Sequence, residues 1–253
     1  MAAEAFNTPT GNGWAPRLGR WTIRLAVASL VVAAIGLTLA RYDVIAKLAG
    51  FSALLGGGLI ALLALLLGTA ALIAGRKRAI PGKGKVIAAT VVALLYVGFL
   101  ATRPLAAGDA PALHDITTDL ANPPQFAVLP LRADNLAGIG SLDNWRRLHA
   151  AAYAHLGPIT LPKPVPVVTA DAVRLAEKSG WQVVRSDPAH GHVEAAVSVS
   201  YIRFHDDVVI RIVPAEGGSH SRVDMRSVSR VGVGDLGVNA RRIRDFLAAL
   251  AAT

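Results

Sequence analysis

Three long apolar runs crowd the first 102 residues, and they constrain this chain more than anything else in it. They are Trp21–Ala40, Leu48–Gly75 and Val86–Thr102. Each approaches the roughly 20 residues that a helix needs to cross about 30 Å of hydrocarbon. No ionisable residue sits in the middle of a run, which speaks against a transport or proton pathway. The first run is longer than a signal-peptide core and is not followed by a polar segment with a small-x-small cleavage pattern. The sequence therefore predicts a multi-pass membrane region over residues 21–102, preceded by a flexible tail over residues 1–20. The lipid bilayer is its first expected partner.

Charge decides what the rest is not. The formal net charge is +9, which by itself would suggest nucleic acid. Residues 1–103 hold eleven Lys/Arg against two acids, whereas residues 104–253 hold 15 of each. The excess flanks the apolar runs and leaves the C-terminal part neutral, so no nucleic-acid partner is expected. Arg17, Arg20 and Arg24 precede the first run, Arg76, Lys77, Arg78, Lys83 and Lys85 separate the second from the third, and only Arg41 and Lys47 lie between the first two. The positive-inside rule then predicts a cytoplasmic N-terminus. Three spans carry everything after Arg103 to the other side. In a bacterium this means a cytoplasmic (inner) membrane protein with a periplasmic or extracellular domain. Gly56, Gly57, Gly58 and Gly68 in the second run favour close helix packing, within this hairpin or in a homo-oligomer.

Residues 103–125 read as a linker and a loop leading into a soluble domain over 126–253. There is no cysteine, hence no disulfide and no thiolate chemistry. Ser141–Leu156 has helical spacing with Ser141 as cap. Pro162, Pro164 and Pro166 predict an extended 159–168, and Thr169 is placed as cap of a helix through Lys178, closed by Gly180. Strands are predicted at Trp181–Asp187, His192–Phe204, Asp207–Pro214 and Arg222–Ser229, with a turn at His205–Asp206. Val193, Ala195, Val197, Val199 and Tyr201 alternate with Glu194, Ser198 and Ser200. A last helix, Asn239–Leu250, carries Ile243, Phe246, Leu247 and Leu250 on one stripe. The expected fold class is an α-helical membrane region plus an α+β domain, a four-stranded antiparallel meander with helices on one face. The other face would carry Glu194, Ser198, Ser200, Arg211, Asp224 and Arg226.

The densest polar constellation is MRSVSRVGVGDLGVNARRI (225–243). Arg226 and Arg230 share a strand face, the glycines allow a tight turn, and Asp235 and Asn239 can cap the last helix. Arginines beside a glycine turn and a helix N-terminus suit a phosphate or carboxylate. The structural alternative pairs them with Asp206, Asp207 or Asp235. Ligand-binding candidates are thus Arg226, Ser229, Arg230, Asp235, Asn239, Arg242, Asp119 and Asp207. His190, His192 and His220 lie in turns at one end of the sheet and are weak metal candidates, two strand spacings apart. Gly232, Gly234 and Gly237 spell G-x-G-x-x-G, but without a βαβ unit. No cofactor is expected, and no catalytic residue is assigned.

TTDLANPPQF (117–126), Gly180–Trp181, DDVVIRI (206–212) and VDMRSVSRVGVGDLGVNARRIRDF (223–246) resemble the domain of unknown function 1499 family of bacteria and plants. The resemblance spans most of 114–250. It implies membrane spans or an export signal but no activity, cofactor or catalytic residue. It singles out Asp119, Pro123, Pro124, Trp181, Asp207, Arg226, Ser229, Arg230, Asp235, Asn239 and Arg242 as positions to test. The leading expectation is a non-enzymatic extracytoplasmic domain that binds a protein or a small anionic ligand. An envelope enzyme, hydrolase-like, is the alternative, and it needs a deep pocket lined by Asp119, Arg226, Arg230 and a histidine. A membrane scaffold or assembly factor is the third reading.

Overall fold

The computed structural model describes residues 13–76, 80–107 and 110–253. The chain divides into two compact units, one up to Ala106 and one from Ala107. Residues 1–12 of the expected tail, and Lys77 and Arg78 of the basic loop, lie outside the described residues.

The first unit has three helices, α1 (Trp14–Arg41), α2 (Lys47–Ala74) and α3 (Lys83–Ala107). All three are long and apolar enough to cross a membrane. The first begins at Trp14, so Arg17 and Arg20 sit on helix rather than in a flexible tail. Their packing is inverted relative to a water-soluble bundle. The buried positions of α1 are small: Gly19, Thr22, Ala26, Ser29, Ala33, Gly36 and Ala40. Those of α2 match them: Gly50, Gly57, Ala61, Ala64, Gly68 and Ala71. Spacings of three and four put each set on one stripe. The large side chains, such as Leu59, Leu66 and Leu95, point outward. Water offers nothing for such a surface, whereas lipid does, and small residues let the backbones close up. A Cβ on Gly57 would come within 2.7 Å of both the Ser29 carbonyl and the Tyr96 hydroxyl. Tyr96 in turn donates to the Leu54 carbonyl at 2.8 Å, tying α3 to α2.

The second unit is α+β. Its elements are β1 (Asp115–Thr117), α4 (Leu142–Tyr153), β2 (Ile159–Leu161), α5 (Val165–Lys178), β3 (Gln182–Asp187), β4 (His192–Val199), β5 (Phe204–Ala215), β6 (His220–Ser229) and α6 (Val238–Ala251). The sheet is antiparallel with order β1-β6-β5-β4-β3, and β2 also pairs with β6. It is larger than the four strands expected. Two three-residue strands, one from the segment read as a leading loop and one from the proline-rich stretch, share the free side of β6. β1 pairs with residues 226–228 and β2 with 221–223. Neither is long enough to show an alternation of its own.

Two local expectations are corrected. The helix α5 starts at Val165, not at Thr169; Pro164 is its N-cap and Pro166 lies in its first turn. Proline is tolerated there because the first N–H groups have no helical partner. Thr169 is one turn inside, and its hydroxyl donates to the Val165 carbonyl. The turn after β4 spans residues 200–203, with Val199 paired to Phe204, rather than 205–206. Ser200 and Arg203 take left-handed backbone angles there without a glycine to announce it.

Other signals translate directly. Ser141 caps α4 by accepting from Asn144 N–H. The α5 terminus is a Schellman motif: Trp181 N–H donates to the Ala176 carbonyl and Gly180 N–H to Glu177, with Gly180 at φ +76°. The motif delivers Trp181 onto Phe246 of α6, rings stacked at 4.6 Å. The core lies between the sheet and helices α4, α5 and α6, around Ile116, Trp145, Val168, Ile210, Met225, Ile243 and Phe246.

Candidate functional site

On the face of the sheet away from this core, Ser198 is exposed, whereas the part that carries Glu194, Asp224 and Arg226 is buried. The segment 118–134 lies against that part. Glu194 shows how. Strand alternation turns it off the core, yet it is fully buried. Its carboxylate accepts N–H donations from Ala127 at 2.6 Å, Val128 at 3.1 Å and Leu129 at 2.8 Å. His192 Nε2 adds a contact of 2.7 Å. Burial alone would lift this carboxyl; the Leu129 N–H, the His192 imidazole and the two remaining N–H groups outweigh it and hold Glu194 below its usual value.

The same segment brings in Asp119. Its Oδ1 accepts from Ala121 and Asn122 N–H, and its Oδ2 from Arg211 at 2.9 Å. Arg211 also reaches Asp224 at 3.1 Å. Thr118 donates to Asp224 as well. Burial lifts Asp119, but the Asn122 N–H and the Arg211 guanidinium prevail and keep it below the ordinary carboxylate range.

Arg226 is the deepest charge of the motif. It grips Asp115 with two bonds, Nε at 2.9 Å and Nη2 at 2.6 Å, and both side chains are almost wholly buried. Nη1 donates to the Pro124 carbonyl, and the guanidinium lies 5.9 Å from the Phe126 ring. Asn135 donates to the second oxygen of Asp115. Arg230 holds Asp207 in a fork at 2.8–3.0 Å; the Asp207 carboxylate raises the arginine further. Arg242 reaches Asp206 at 2.6 Å, Ser227 at 2.7 Å and the Asn239 side-chain oxygen. Asn239 is fully buried within α6, and its amide donates to Ser229 Oγ and the His114 carbonyl. It is therefore a bridge, not a cap. Gly237 occupies the N-cap position of α6, and Asp235, two residues before it, supplies the acceptor: its oxygens accept from Gly237 and Asn239 N–H. Burial nonetheless pushes the Asp235 carboxyl up.

The nominated residues thus fall into two groups, Asp119, Asp207, Arg226 and Arg230 on the face away from the core and Ser229, Asp235, Asn239 and Arg242 on the helix side, and each is engaged by a partner within the fold. Pairing with Asp206 and Asp207 was foreseeable; the role of Asp115 was missed, because a three-residue strand gives no signal. The crevice beside Arg230, lined by Phe126, Arg132, Asp207 and Ser229 among others, has a volume of about 10 Å³. That is room for one water at most. It contains neither Asp119, Arg226 nor a histidine. The three turn histidines do not converge: His190 contacts Asp187, His192 contacts Glu194 and His220 contacts Glu216. Among the described residues no group of three or more His, Asp or Glu is arranged to hold a metal.

The described cavity with room for a small molecule lies elsewhere, between α4, the start of α6 and Ala110–Pro111. It is about 550 Å³ and lined by Leu148, Ala151, Tyr153, Ala240, Arg241 and their neighbours. Nothing periodic in the sequence marks it. α4 turns Trp145, His149 and Tyr153 inward at intervals of four, with successive ring centroids 5.5 Å apart. His149 Nε2 accepts from Thr117 N–H, and burial lowers its pKa. The Tyr153 hydroxyl is buried with no hydrogen-bond partner.

Fold and site define a class: an apolar three-helix region joined to an α+β domain whose second sheet face carries a buried, charged, loop-bound network around Glu194 and Arg226. A family model described as "Protein of unknown function (DUF1499)" matches residues 115–250, and the chain belongs to that family. No curated protein matches the chain.

Proposed function

We propose that this is a three-span membrane protein whose C-terminal domain is a non-catalytic binding module on the extracytoplasmic side. Its partner is a protein or a small anionic ligand. The observation that carries the binding reading is the mutual engagement of Asp115 with Arg226, Asp207 with Arg230 and Asp206 with Arg242. A catalytic acid, base or arginine must be within reach of substrate. These six side chains serve instead as a rigid frame, which suits recognition. Arg230, with 43% of its side chain exposed, keeps surface to offer an anion beside its pair with Asp207.

The extracytoplasmic placement rests on the Lys/Arg asymmetry between the loops; in a bacterium it corresponds to the cytoplasmic membrane and the periplasm. Alkaline phosphatase fused after Thr253 is expected to be active, and a fusion at Lys83 inactive. The opposite pattern would reverse the orientation. The binding reading fails if Arg230→Ala removes a hydrolytic activity of the full chain while its melting temperature stays unchanged.

A further inference from the structure

Three features meet at the groove between α4 and α6. Its floor is apolar, from Leu148, Ala151, Ala152 and Ala240. Tyr153 borders that floor; the side chain is only 8% exposed, and its hydroxyl is buried beneath the surface without a hydrogen-bond partner. A buried hydroxyl left unmade is costly, and native structures nearly always satisfy it, with protein, water or ligand. The third feature is charge. Arg241, Arg244 and His155 line the groove, and no acidic residue does. Arg244 is paired with Asp245 at 2.9 Å. Arg241 donates to the Leu236 carbonyl at 3.1 Å, and among the described residues no carboxylate lies within ion-pairing distance of it. Its guanidinium lies over Gly237, where an added Cβ would stand 3.1 Å from Nη1.

The geometry points to a binding site for a single-chain anionic amphiphile: acyl chain along the α4 floor, carboxylate or phosphate on Arg241, with the Tyr153 hydroxyl donating to it. The groove's volume of about 550 Å³ is within the range of small-molecule sites. Ala110 and Pro111, which form one wall, follow Arg103 by seven and eight residues. The inference rests on the membrane reading above, since the bilayer is then the nearest reservoir of acyl chains. The same anion chemistry has a second source in free phosphate, and the test separates the two.

The full chain in phosphatidylcholine nanodiscs is photolabelled with diazirine-bearing decanoic acid and with the corresponding alcohol, and the labelled peptides are mapped. The acid is expected to label residues 148–155 and 240–244 about tenfold more than the alcohol does, the worth of one charge-assisted contact. Arg241→Ala should reduce this labelling about tenfold. Ala151→Trp, an exposed position that fills the groove, should abolish it. Equal labelling by acid and alcohol, or labelling that both variants leave intact, overturns the site while the membrane reading stands. Full displacement by millimolar inorganic phosphate would also overturn it, in favour of a soluble anion. Release of the chain from membranes by carbonate would defeat both readings.

Discussion

The two units solve burial in opposite ways. The apolar helices bury their smallest residues and expose their largest, and the charge at their contact sits at its end, where Lys47 of α2 donates to the Ala40 carbonyl of α1. The α+β unit buries Asp115, Glu194, Asp206, Asp207, Asp224 and Arg226. In the first unit stability comes from close backbone approach. In the second it depends on every buried charge finding its partner, because removing one member strands the other in a low-dielectric site. The contrast predicts that single substitutions act very differently in the two halves.

The largest effect is expected at Arg226. Replacing it with alanine leaves Asp115 buried against Asn135 alone and should cost about 3–5 kcal/mol. Tryptophan fluorescence of the full chain, in a Trp14→Phe/Trp21→Phe background, reports the unfolding of the C-terminal unit. The double variant Asp115→Leu/Arg226→Met is expected to recover most of that loss, since a buried pair is often replaceable by apolar residues of similar volume. If the double variant is no more stable than Arg226→Ala, the pair is doing something that packing cannot replace, and the contrast between the units narrows.

Glu194 comes next. Glu194→Ala takes the acceptor from three consecutive backbone N–H groups and should cost about 3 kcal/mol, within the usual range for charged hydrogen bonds and stranded donors. It also sets a pH dependence. Glu194 and Asp119 are held below their ordinary values of 4.5 and 3.8. A depressed carboxyl contributes stability that is present above the unfolded value and lost as pH falls through the folded one. The melting temperature should therefore fall below about pH 4.5, and Glu194→Gln should flatten that limb. Asp235, raised by burial, works in the other direction and loses its contribution as pH rises through its folded value.

In the helical unit the corresponding test is steric. Gly57→Leu drives a side chain against the Ser29 carbonyl and the Tyr96 hydroxyl. Overpacking of this kind costs about 1–3 kcal/mol. Crosslinking of cysteines placed on α1 and α2 should weaken, while the fluorescence melt of the C-terminal unit stays in place.

How far the sequence foretells this structure depends on what makes each feature. The helices and the β4 alternation are periodic, so they are legible. The burial of Glu194 is not: the alternation places it off the core, and only the non-periodic backbone at 127–129 covers it there. Asp115 and β1 stay hidden for a related reason, since three residues define no period. Thr169 reads as a cap because its neighbours include three prolines, and a proline in a helix's first turn looks like a proline outside it. The turn at 200–203 is silent because Ser200 and Arg203 supply the left-handed angles that glycine usually announces. The motif of residues 225–243 was legible as a cluster. Its internal pairing depends on register across three strands, which a linear reading does not give.

The smallest expected effect is the most discriminating for the groove. Tyr153→Phe removes a hydroxyl that has no partner and leaves the edge-to-face contact with His149 intact. Stability should stay within about 0.5 kcal/mol of the wild type, or rise slightly, because a desolvated donor is relieved. If the hydroxyl serves a ligand, the same substitution should lower decanoic acid labelling of residues 148–155 severalfold. A variant that is neutral for folding and defective for labelling separates a recognition role from a structural one. A large loss of stability would mean that the hydroxyl is satisfied within the fold, by ordered water, and the groove would lose its polar anchor.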